Sequence, residues 1–525
     1  MIDKERAPLI ERSHNERSLR SKFSPKGHTR KPSGDLPQGG TPSGEFLDDV
    51  ASLAETADTL ASNLASGDSS NLPSGNLPVG DAAVPAAVFK NKTEETVEQS
   101  LPSTGPKLRS RSGRVLVPTV AATLSRQDLD YLSPLTSIDE VVSRIEKIGY
   151  WYHEWTRNCT VIKIAEGSFG SILRLHNKTD PTQFTIGKLM PLRARRGAGS
   201  KTSSFTRVQD AASETEMLIT MSNYQGFAEF RRAEVLHGKL PPSLKHAYKK
   251  YNDRHPSDSK TKVEFGDHQL WLFLEMSYAG TDLEEIFKKQ SRKKYHLSVR
   301  ETSDIFWAVA LALAIGEAEV RFEHRDLQVQ NICIKRYSQF IKTQGDEERL
   351  GFKKYTDLKV TIIDYTLSRA TLEDSRVIFN PMEDEGIFKG QGDDDSDEVL
   401  QYDTYRSMRQ LVKNSSTTLT KGRINAVKWD TFVAGTNVLW LYYLLKILLR
   451  HTARHNERED LAARQDADIR SNLEQLCLKL EPESSERVNY RSALELVALA
   501  RTEAENPSRM RKGTEDEEHK DAEFY

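Results

Sequence analysis

The amino-acid sequence predicts an α+β fold of two lobes, preceded by a long disordered tail. Residues 1–125 are rich in Pro, Gly, Ser and charged residues and nearly lack aromatic ones, so they cannot bury enough apolar surface to fold. Strand patterns then crowd into 130–276, which predicts a small N-lobe with an antiparallel sheet and a helix. Long apolar helices dominate 281–505, the predicted C-lobe. The final segment, 506–525, is charged and expected to be frayed.

Bulk composition narrows the compartment and the class of partner. The 525-residue chain has a formal charge of −2, which gives no argument for direct binding to nucleic acid. No apolar run reaches the roughly 18 residues that a membrane span needs, and the N-terminus lacks the apolar core of a signal peptide. The three cysteines are far apart and indicate neither a disulfide framework nor a zinc site. A cytosolic or nuclear protein is expected.

Two features stand out within the tail. Apolar residues with three-four spacing over 47–65 predict a short amphipathic helix that docks an unknown partner. A transient helix without a partner explains that spacing equally well. A basic cluster over 107–114 indicates nuclear import, although such clusters are common in disordered tails.

Apolar patterning predicts the elements of both lobes. The predicted N-lobe strands are 161–164, 172–175, 184–189 and 269–274, with a helix over 208–222. In the C-lobe, a helix over 304–320 is too apolar for a surface position and therefore belongs to the core. A strand over 360–363 and a second buried helix beginning near 438 follow it.

A glycine-containing turn joins the first two predicted strands. It consists of Ala165, Glu166, Gly167, Ser168, Phe169 and Gly170. Glycines at such a turn let the backbone approach the phosphates of a nucleotide without a Cβ in the way. Ala165 stands where the usual Gly-x-Gly-x-x-Gly pattern has its first glycine. Alone, the turn is more often a plain hairpin, but the lysine on the strand that follows favours a phosphate cradle.

That lysine is Lys188, which lies within an apolar strand. A lysine in mid-strand usually faces solvent, but its spacing from the glycine turn fits a cation on the α- and β-phosphates of ATP. Such a lysine needs a carboxylate partner on the neighbouring helix. Glu214 is the predicted partner, with Glu216 and Asp210 as rivals.

The strongest motif lies after the apolar helix of the C-lobe. It reads His324-Arg325-Asp326-Leu327-Gln328-Val329-Gln330-Asn331, which has the form of a protein kinase catalytic loop. Asp326 is the predicted general base for an acceptor hydroxyl, and Asn331 and Asp364 are predicted to hold Mg²⁺. His324 and Arg325 are expected to hold the loop rather than to react. Gln328 replaces the lysine that serine/threonine kinases usually carry.

The stretch after the strand over 269–274 is predicted to link the lobes. The exposed backbone of Ser277, Tyr278 and Gly280 is expected to bind the adenine edge, and Asp282 is expected to lie near the ribose. The alternative is an ordinary strand-to-helix loop, in which Asp282 or Thr281 caps the next helix.

An acidic stretch follows the predicted metal site. Glu383, Asp384 and Glu385 precede a second acidic run over 393–398. Such runs usually form solvated loops, but at the substrate side of a kinase they also suit a basic peptide. Beyond them, Asp403 is expected to begin a helix and to secure the backbone of the catalytic loop.

Together these motifs resemble the haspin family of atypical kinases. The resemblance rests on the stretches 321–327, 362–369, 274–275, 280–284 and 437–441, and on the insertion around 241–244. Asp364-Tyr365-Thr366 in place of Asp-Phe-Gly is its most specific part. The match covers roughly residues 130–500.

The resemblance implies a serine/threonine kinase that uses ATP and Mg²⁺ and phosphorylates a threonine near the N-terminus of histone H3 in mitosis. It implies a nuclear, chromosome-associated location, with the cytoplasm as an alternative, and activity without phosphorylation of the activation loop. Glu383 and Glu385 match family positions that bind the basic histone tail. Three rivals stay open: a pseudokinase scaffold, a kinase of another basic protein and a small-molecule kinase.

Overall fold

The computed structural model describes residues 124–505 apart from several internal segments. These are 168–169, 181, 194–204, 256–264, 294–295, 337–353, 391–395, 420–426, 454–460 and 485–489. The predicted tail with its helix over 47–65 lies outside the described residues except for Leu124 and Ser125, as does the segment 506–525.

The N-lobe is built on one six-stranded sheet. Its strands are β1 (Val141–Lys147), β2 (Cys159–Glu166), β3 (Ser171–Asn177), β4 (Phe184–Leu192), β5 (Phe230–His237) and β6 (Leu270–Ser277). Their order across the sheet is β1-β5-β6-β4-β3-β2. The kinase-like α+β fold is confirmed, but the sheet is mixed rather than purely antiparallel, because β1 runs parallel to β5. Sequence patterning found β2, β3, β4 and β6.

Four helices accompany this sheet. They are α1 (Arg126–Thr136), α2 (Ile148–Asn158), α3 (Val208–Met221) and α4 (Pro242–Arg254). The insertion noted around 241–244 begins α4, with Pro242 in the first turn, where a missing N–H costs nothing. Ser125 caps α1 by accepting a hydrogen bond from the Asp128 N–H at 3.1 Å.

Strand β6 is apolar from Leu270 to Leu274 because both of its faces are buried there. Trp271 and Phe273 pack with α2 and α4 on one face. Leu272 and Leu274 join a core on the other face that includes Leu218 of α3 and continues into the C-lobe. A strand covered on both faces reads as a continuous apolar run rather than an alternating one. This burial holds the middle of the sheet, where β4 lies next to β6.

The C-lobe is mainly helical. Its helices are α5 (Leu283–Lys293), α6 (Val299–Val320), α7 (Asp397–Leu419), α8 (Gly435–Arg450), α9 (Leu461–Leu480) and α10 (Ala493–Glu505). A capping box between Ser298 and Glu301 starts α6, and Arg321 ends it in the left-handed conformation. Among the described residues, no helix has the length and apolarity to span a membrane.

Short strands position the loops of the C-lobe. They are β7 (Thr281–Asp282), β8 (Ile332–Arg336), β9 (Leu358–Ile362), β10 (Arg369–Thr371) and β11 (Val377–Phe379). Ile332 of β8 lies opposite Ile362 of β9, and the Ile363 N–H donates to the Asn331 carbonyl at 2.9 Å. This pairing sets the end of the catalytic loop beside Asp364.

Candidate active site

Lys188 faces two carboxylates from different parts of the chain. Its Nζ lies 2.5 Å from Glu214 Oε1 on α3 and 3.7 Å from Asp364 Oδ1 after β9. The side chains of Lys188 and Glu214 are only 7% and 8% exposed. Since β4 lies between β3 and β6, the backbone of Lys188 is fixed on both sides. The structure thus brings three predicted site residues together.

The two rival carboxylates on α3 have other partners. Glu216 Oε1 lies 2.8 Å from Arg376, in the turn between β10 and β11. Asp210 accepts from Arg207 at 2.7 Å, in the turn that begins α3. Only Glu214 lies on the buried face of the helix beside Lys188.

Burial and charge oppose one another in this ion-pair cluster. Burial lowers the pKa of Lys188, but Asp364 and Glu214 outweigh it, so the net pKa is raised. Burial raises the pKa of Glu214, and Lys188 offsets this only in part. Burial also raises the pKa of Asp364, but Lys188 and the hydrogen bonds from Thr366 reverse it to a net lowering. Lys188 is therefore protonated and held in place by Glu214 and Asp364.

The glycine turn between β2 and β3 is closed by its own backbone. The Gly167 N–H donates to the Gly170 carbonyl at 2.8 Å. A Cβ on Gly170 would lie 2.8 Å from the Leu189 carbonyl, so the close approach of the turn to β4 requires glycine here. The Glu166 side chain pairs with the buried Lys163. Ser168 and Phe169, at the tip, lie outside the described residues.

The segment between the lobes has a backbone that only glycine permits at one point. Gly280 has φ of +119°, and a Cβ there would lie 2.2 Å from the Ile334 carbonyl. The Ser277 N–H is engaged by the Glu229 carbonyl at 2.9 Å. The ring of Tyr278 packs on Phe184 with centroids 4.4 Å apart.

Asp282 lies at the start of α5. Its Oδ1 accepts from the Glu285 N–H at 2.8 Å, so the side chain caps this helix, as the alternative reading expected. A ribose hydroxyl would have to share this carboxylate with the cap.

Asp326 receives hydrogen bonds at both carboxylate oxygens. Tyr405 of α7 donates its hydroxyl to Oδ1. Asn331 Nδ2 donates to Oδ2 at 3.2 Å, and Gln328 Nε2 approaches the same oxygen at 3.4 Å. Burial raises the pKa of Asp326 to about 7, with nearby Asp364 adding to the rise and the bond from Tyr405 opposing it. A carboxylate with a pKa near neutrality suits proton transfer at physiological pH.

The residues before Asp326 fix the backbone of the catalytic loop. Arg325 has φ of 63°, a costly conformation for a non-glycine residue. Its fully buried guanidinium donates to both oxygens of Glu323, at 3.0 and 3.1 Å. It also donates to the Trp429 carbonyl at 2.6 Å and the Thr431 carbonyl at 3.1 Å. These four bonds fix the strained backbone next to Asp326.

His324 and Asn437 complete this support. The Asp326 N–H donates to His324 Nδ1 at 3.3 Å, so Nε2 carries the proton and donates to the Ile363 carbonyl at 3.2 Å. The side chain of Asn437 accepts from the His324 N–H at 3.1 Å and donates to the Phe322 carbonyl at 2.9 Å.

Asp403 does not secure the catalytic loop, contrary to expectation. It is exposed on α7, which begins at Asp397, and it pairs with Arg406 one turn later. Asn437 on α8 secures the loop backbone instead of Asp403. An asparagine in a largely apolar helix is the sequence feature that could have indicated this role, since buried amides need hydrogen-bond partners.

Asn331 and Asp364 form a donor set that fits Mg²⁺. Asn331 uses Nδ2 to hold Asp326, which leaves its carbonyl oxygen as a ligand. Mg²⁺ is commonly held by one or two carboxylates, with nucleotide phosphates completing its shell. The described residues contain no cluster of three or more His, Cys, Asp or Glu side chains arranged for a metal.

Tyr365 and Thr366 have roles that sequence reasoning did not assign. The Tyr365 hydroxyl accepts from the Ala228 N–H at 2.9 Å and donates to the Ile362 carbonyl at 3.0 Å. Thr366 Oγ1 donates to Asp364 at 2.5 Å and approaches Glu214 at 3.4 Å. A phenylalanine and a glycine could make neither set of bonds. The Asp-Tyr-Thr triplet thus ties the predicted metal ligand to α3 and to the loop before β5.

The three acidic residues predicted to bind peptide lie in one segment after β11. Glu383 pairs with Arg207 at 3.4 Å and Glu385 with Arg409 at 2.8 Å. Asp384 accepts from the Gly386 N–H at 2.8 Å. Each carboxylate thus has a partner within the chain.

A family model described as "Haspin like kinase domain" matches residues 121–500. The chain belongs to the haspin kinase family. Curated relatives include the serine/threonine-protein kinase haspin homolog of Drosophila melanogaster, 29% identical over 54% of this chain and 48% of the relative. Haspin of Mus musculus is 30% identical, over 59% of this chain and 38% of its own length. The haspin homolog hrk1 of Schizosaccharomyces pombe is 26% identical over 67% of each.

The chain spans about half or less of the length of the first two of these relatives. The matched range contains every site residue described above.

Proposed function

We propose that this chain is a serine/threonine protein kinase that transfers the γ-phosphoryl group of ATP to a threonine near the N-terminus of histone H3 during mitosis. One observation carries the kinase activity. Lys188, Glu214 and Asp364 are assembled as an ion-pair cluster, with Asp326 and Asn331 at the adjoining loop. An inactive scaffold has no need to keep all five residues.

The residues of this chain would bind ATP at the junction of the lobes. The cation of Lys188 faces the α- and β-phosphates, beneath the glycine turn from Gly167 to Gly170. The backbone from Tyr278 to Gly280 offers hydrogen-bonding groups to the adenine edge, whereas the Ser277 N–H is already engaged by the Glu229 carbonyl. Asn331 and Asp364 would hold Mg²⁺, which supplies charge neutralisation for the transferred phosphoryl group.

Asp326 acts on the acceptor hydroxyl. Its Oδ1 accepts the bond from Tyr405 and its Oδ2 those from Asn331 and Gln328. A carboxylate oxygen has two lone-pair sites, so Oδ1 retains one acceptor position for the hydroxyl of a threonine. As the oxygen of that hydroxyl attacks phosphorus, its proton passes to Oδ1 and ADP leaves with the bonding electrons.

Charge supports a basic peptide as substrate. Glu383 and Glu385 lie on the segment between β11 and α7, and their side chains are 69% and 50% exposed. A lysine or arginine of a peptide could exchange with Arg207 or Arg409, because exposed ion pairs are weak. The histone, the mitotic role and a nuclear, chromosome-associated location rest on the family and on the haspin names of the relatives.

The test is to incubate the full chain with labelled ATP, Mg²⁺ and purified core histones, and to map the labelled residue by mass spectrometry. Label on an N-terminal threonine of H3 is expected. The Asp326→Asn variant serves as control, because it removes the base while keeping the size of the side chain. Label on another basic protein but none on H3 would contradict the histone as substrate and would still support protein kinase activity.

Two outcomes would support the remaining readings. Intact ATP binding without transfer to any protein supports a pseudokinase scaffold, for which Ala165 and Gln328 are the sequence arguments. Transfer to metabolites alone supports a small-molecule kinase.

A further inference from the structure

Helix α7 presents two side chains to the catalytic loop, one turn apart. Gln401 Nε2 donates to Gln328 Oε1 at 2.7 Å. Tyr405 donates its hydroxyl to Asp326 Oδ1. Residues four apart lie on the same face of a helix. One face of α7 therefore contacts both Asp326 Oδ1 and the neighbouring Gln328.

Tyr405 is rigidly placed for this contact. Its side chain is buried, and its ring packs edge-on against Trp440 of α8 with centroids 5.0 Å apart. Trp440 itself is fully buried. The phenol has little freedom to leave Asp326 because its ring is enclosed.

Gln328 occupies the position where a lysine was expected. A lysine there would add a cation next to Asp326, and the structure has none among the described contacts of this carboxylate. Gln328 instead relays the contact from Gln401 to Asp326 Oδ2 at 3.4 Å. Helix α7 therefore reaches Asp326 Oδ1 directly through Tyr405 and Oδ2 indirectly through Gln401 and Gln328, in both cases with uncharged donors.

We propose that Tyr405 is a positioning residue for Asp326, with Gln401 acting through Gln328 as its weaker companion. By holding Oδ1, the Tyr405 hydroxyl leaves one lone pair of that oxygen directed at the acceptor. The inference rests on the proposed kinase function and concerns the same site. Tyr405 makes no contact with substrate in this scheme; it acts through Asp326.

The test is a double-mutant cycle in single-turnover kinetics. Tyr405→Phe removes only the hydroxyl and should lower the rate of phosphoryl transfer by about 10- to 100-fold, the size expected for loss of a hydrogen bond to a charged group. The KM values for ATP and for the acceptor should change less than about twofold. In the Asp326→Asn background, the same substitution should change the rate less than about twofold, because its target is gone.

Two matched variants accompany the cycle. Tyr402→Phe removes a phenol hydroxyl from the same helix without touching Asp326 and should leave the rate near wild type. Gln401→Ala should lower the rate only a few-fold. Melting temperature and calorimetric ATP binding of Tyr405→Phe establish that the site is folded.

The outcomes separate this inference from the proposed function. Equal losses in the two backgrounds, a faster Tyr405→Phe enzyme, or a change confined to KM would overturn the positioning role alone. The acceptors are an H3 tail peptide and a set of unrelated basic proteins, so failure of the histone does not affect the cycle. A wild-type chain that transfers phosphate to nothing would overturn both.

Discussion

The catalytic loop and the acidic segment from Glu383 to Glu385 use charge in opposite ways. In the loop, Glu323 and Arg325 are completely buried and joined by two hydrogen bonds. In the segment, the glutamates pair with arginines at half-exposed or exposed positions. Removing one partner of a buried ion pair strongly destabilises the folded protein, because the other charge is left buried and unpaired. Removing one partner of an exposed pair costs little, because solvent screens the remaining charge. The first region thus fixes geometry, and the second is free to exchange partners.

The largest effect is expected at Asp326. Asp326→Asn should lower turnover by roughly 10²–10⁴, because a general base contributes about that much. Stability and ATP affinity should remain close to wild type. Turnover is measured by phosphate incorporation and affinity by isothermal titration. Near-normal incorporation would remove Asp326 from the role of base.

The difference between the regions is tested directly by two Glu→Gln substitutions. Glu323→Gln leaves Arg325 buried without its counter-charge and should lower the free energy of unfolding by about 3–5 kcal/mol. Glu385→Gln removes the partner of Arg409 at the surface and should leave stability almost unchanged. Urea denaturation of both variants measures the contrast, and similar losses in the two would contradict it.

His324 makes the stability of the loop depend on pH. Burial lowers its folded pKa from 6.5 to about 4. The unfolded chain therefore binds more protons between these values, and the stabilising contribution, complete above pH 6.5, is lost as pH falls towards 4. The loss should total about 3 kcal/mol. The non-titrating variant His324→Gln should not show this part of the pH dependence.

The measured quantity is the difference in unfolding free energy between wild type and His324→Gln across this range. Glu317 has the opposite sign, because burial raises its pKa to about 7 and its stabilising contribution is lost as pH rises. Both chains contain Glu317, so its contribution cancels. A difference that does not vary with pH would contradict a neutral, buried His324.

The smallest effect is expected at the acidic segment. Glu383→Lys combined with Glu385→Lys should raise the KM for an H3 tail peptide about tenfold, roughly the loss of one or two exposed charge contacts, with ATP affinity unchanged. Added salt should raise the wild-type KM towards that of the variant. Asp468→Lys combined with Glu474→Lys on α9 is the control, because it changes the net charge by the same amount. A peptide KM that stays at the wild-type value would favour a solvated loop without a substrate role.

Spacing and patterning were sufficient to predict the strands that carry Lys188 and Asp364. They succeeded because Lys188 is the one charged residue of β4, and because the largely apolar stretch 360–363 leads directly into Asp364. Strands β1 and β5 were missed, since Val141–Lys147 and Phe230–His237 mix charged and apolar residues without clean alternation. Pairing with β6 gives β5 an environment that its own sequence does not indicate.

Contacts between distant segments could not be derived from spacing. Tyr405 and Asp326 are 79 positions apart. The helix that carries Tyr405 has no sequence motif that indicates a contact with Asp326. Asn437 could have been found from the sequence, because it is an amide in the first turn of a largely apolar helix. The assignment to Asp403 failed because an acid in the first turns of a helix is common and says little about its contacts.

The bridging hydroxyl of Tyr365 bears on which inhibitors this kinase domain can accept. Compounds that occupy the space vacated when Tyr365 swings outward would have to break the bonds of its hydroxyl to Ala228 and Ile362. Each bond contributes about 1 kcal/mol, so the outward state becomes about fivefold rarer for each, and such compounds bind correspondingly more weakly. Ligands that leave this ring in place meet no such cost, which makes the nucleotide pocket the better target for selective chemistry.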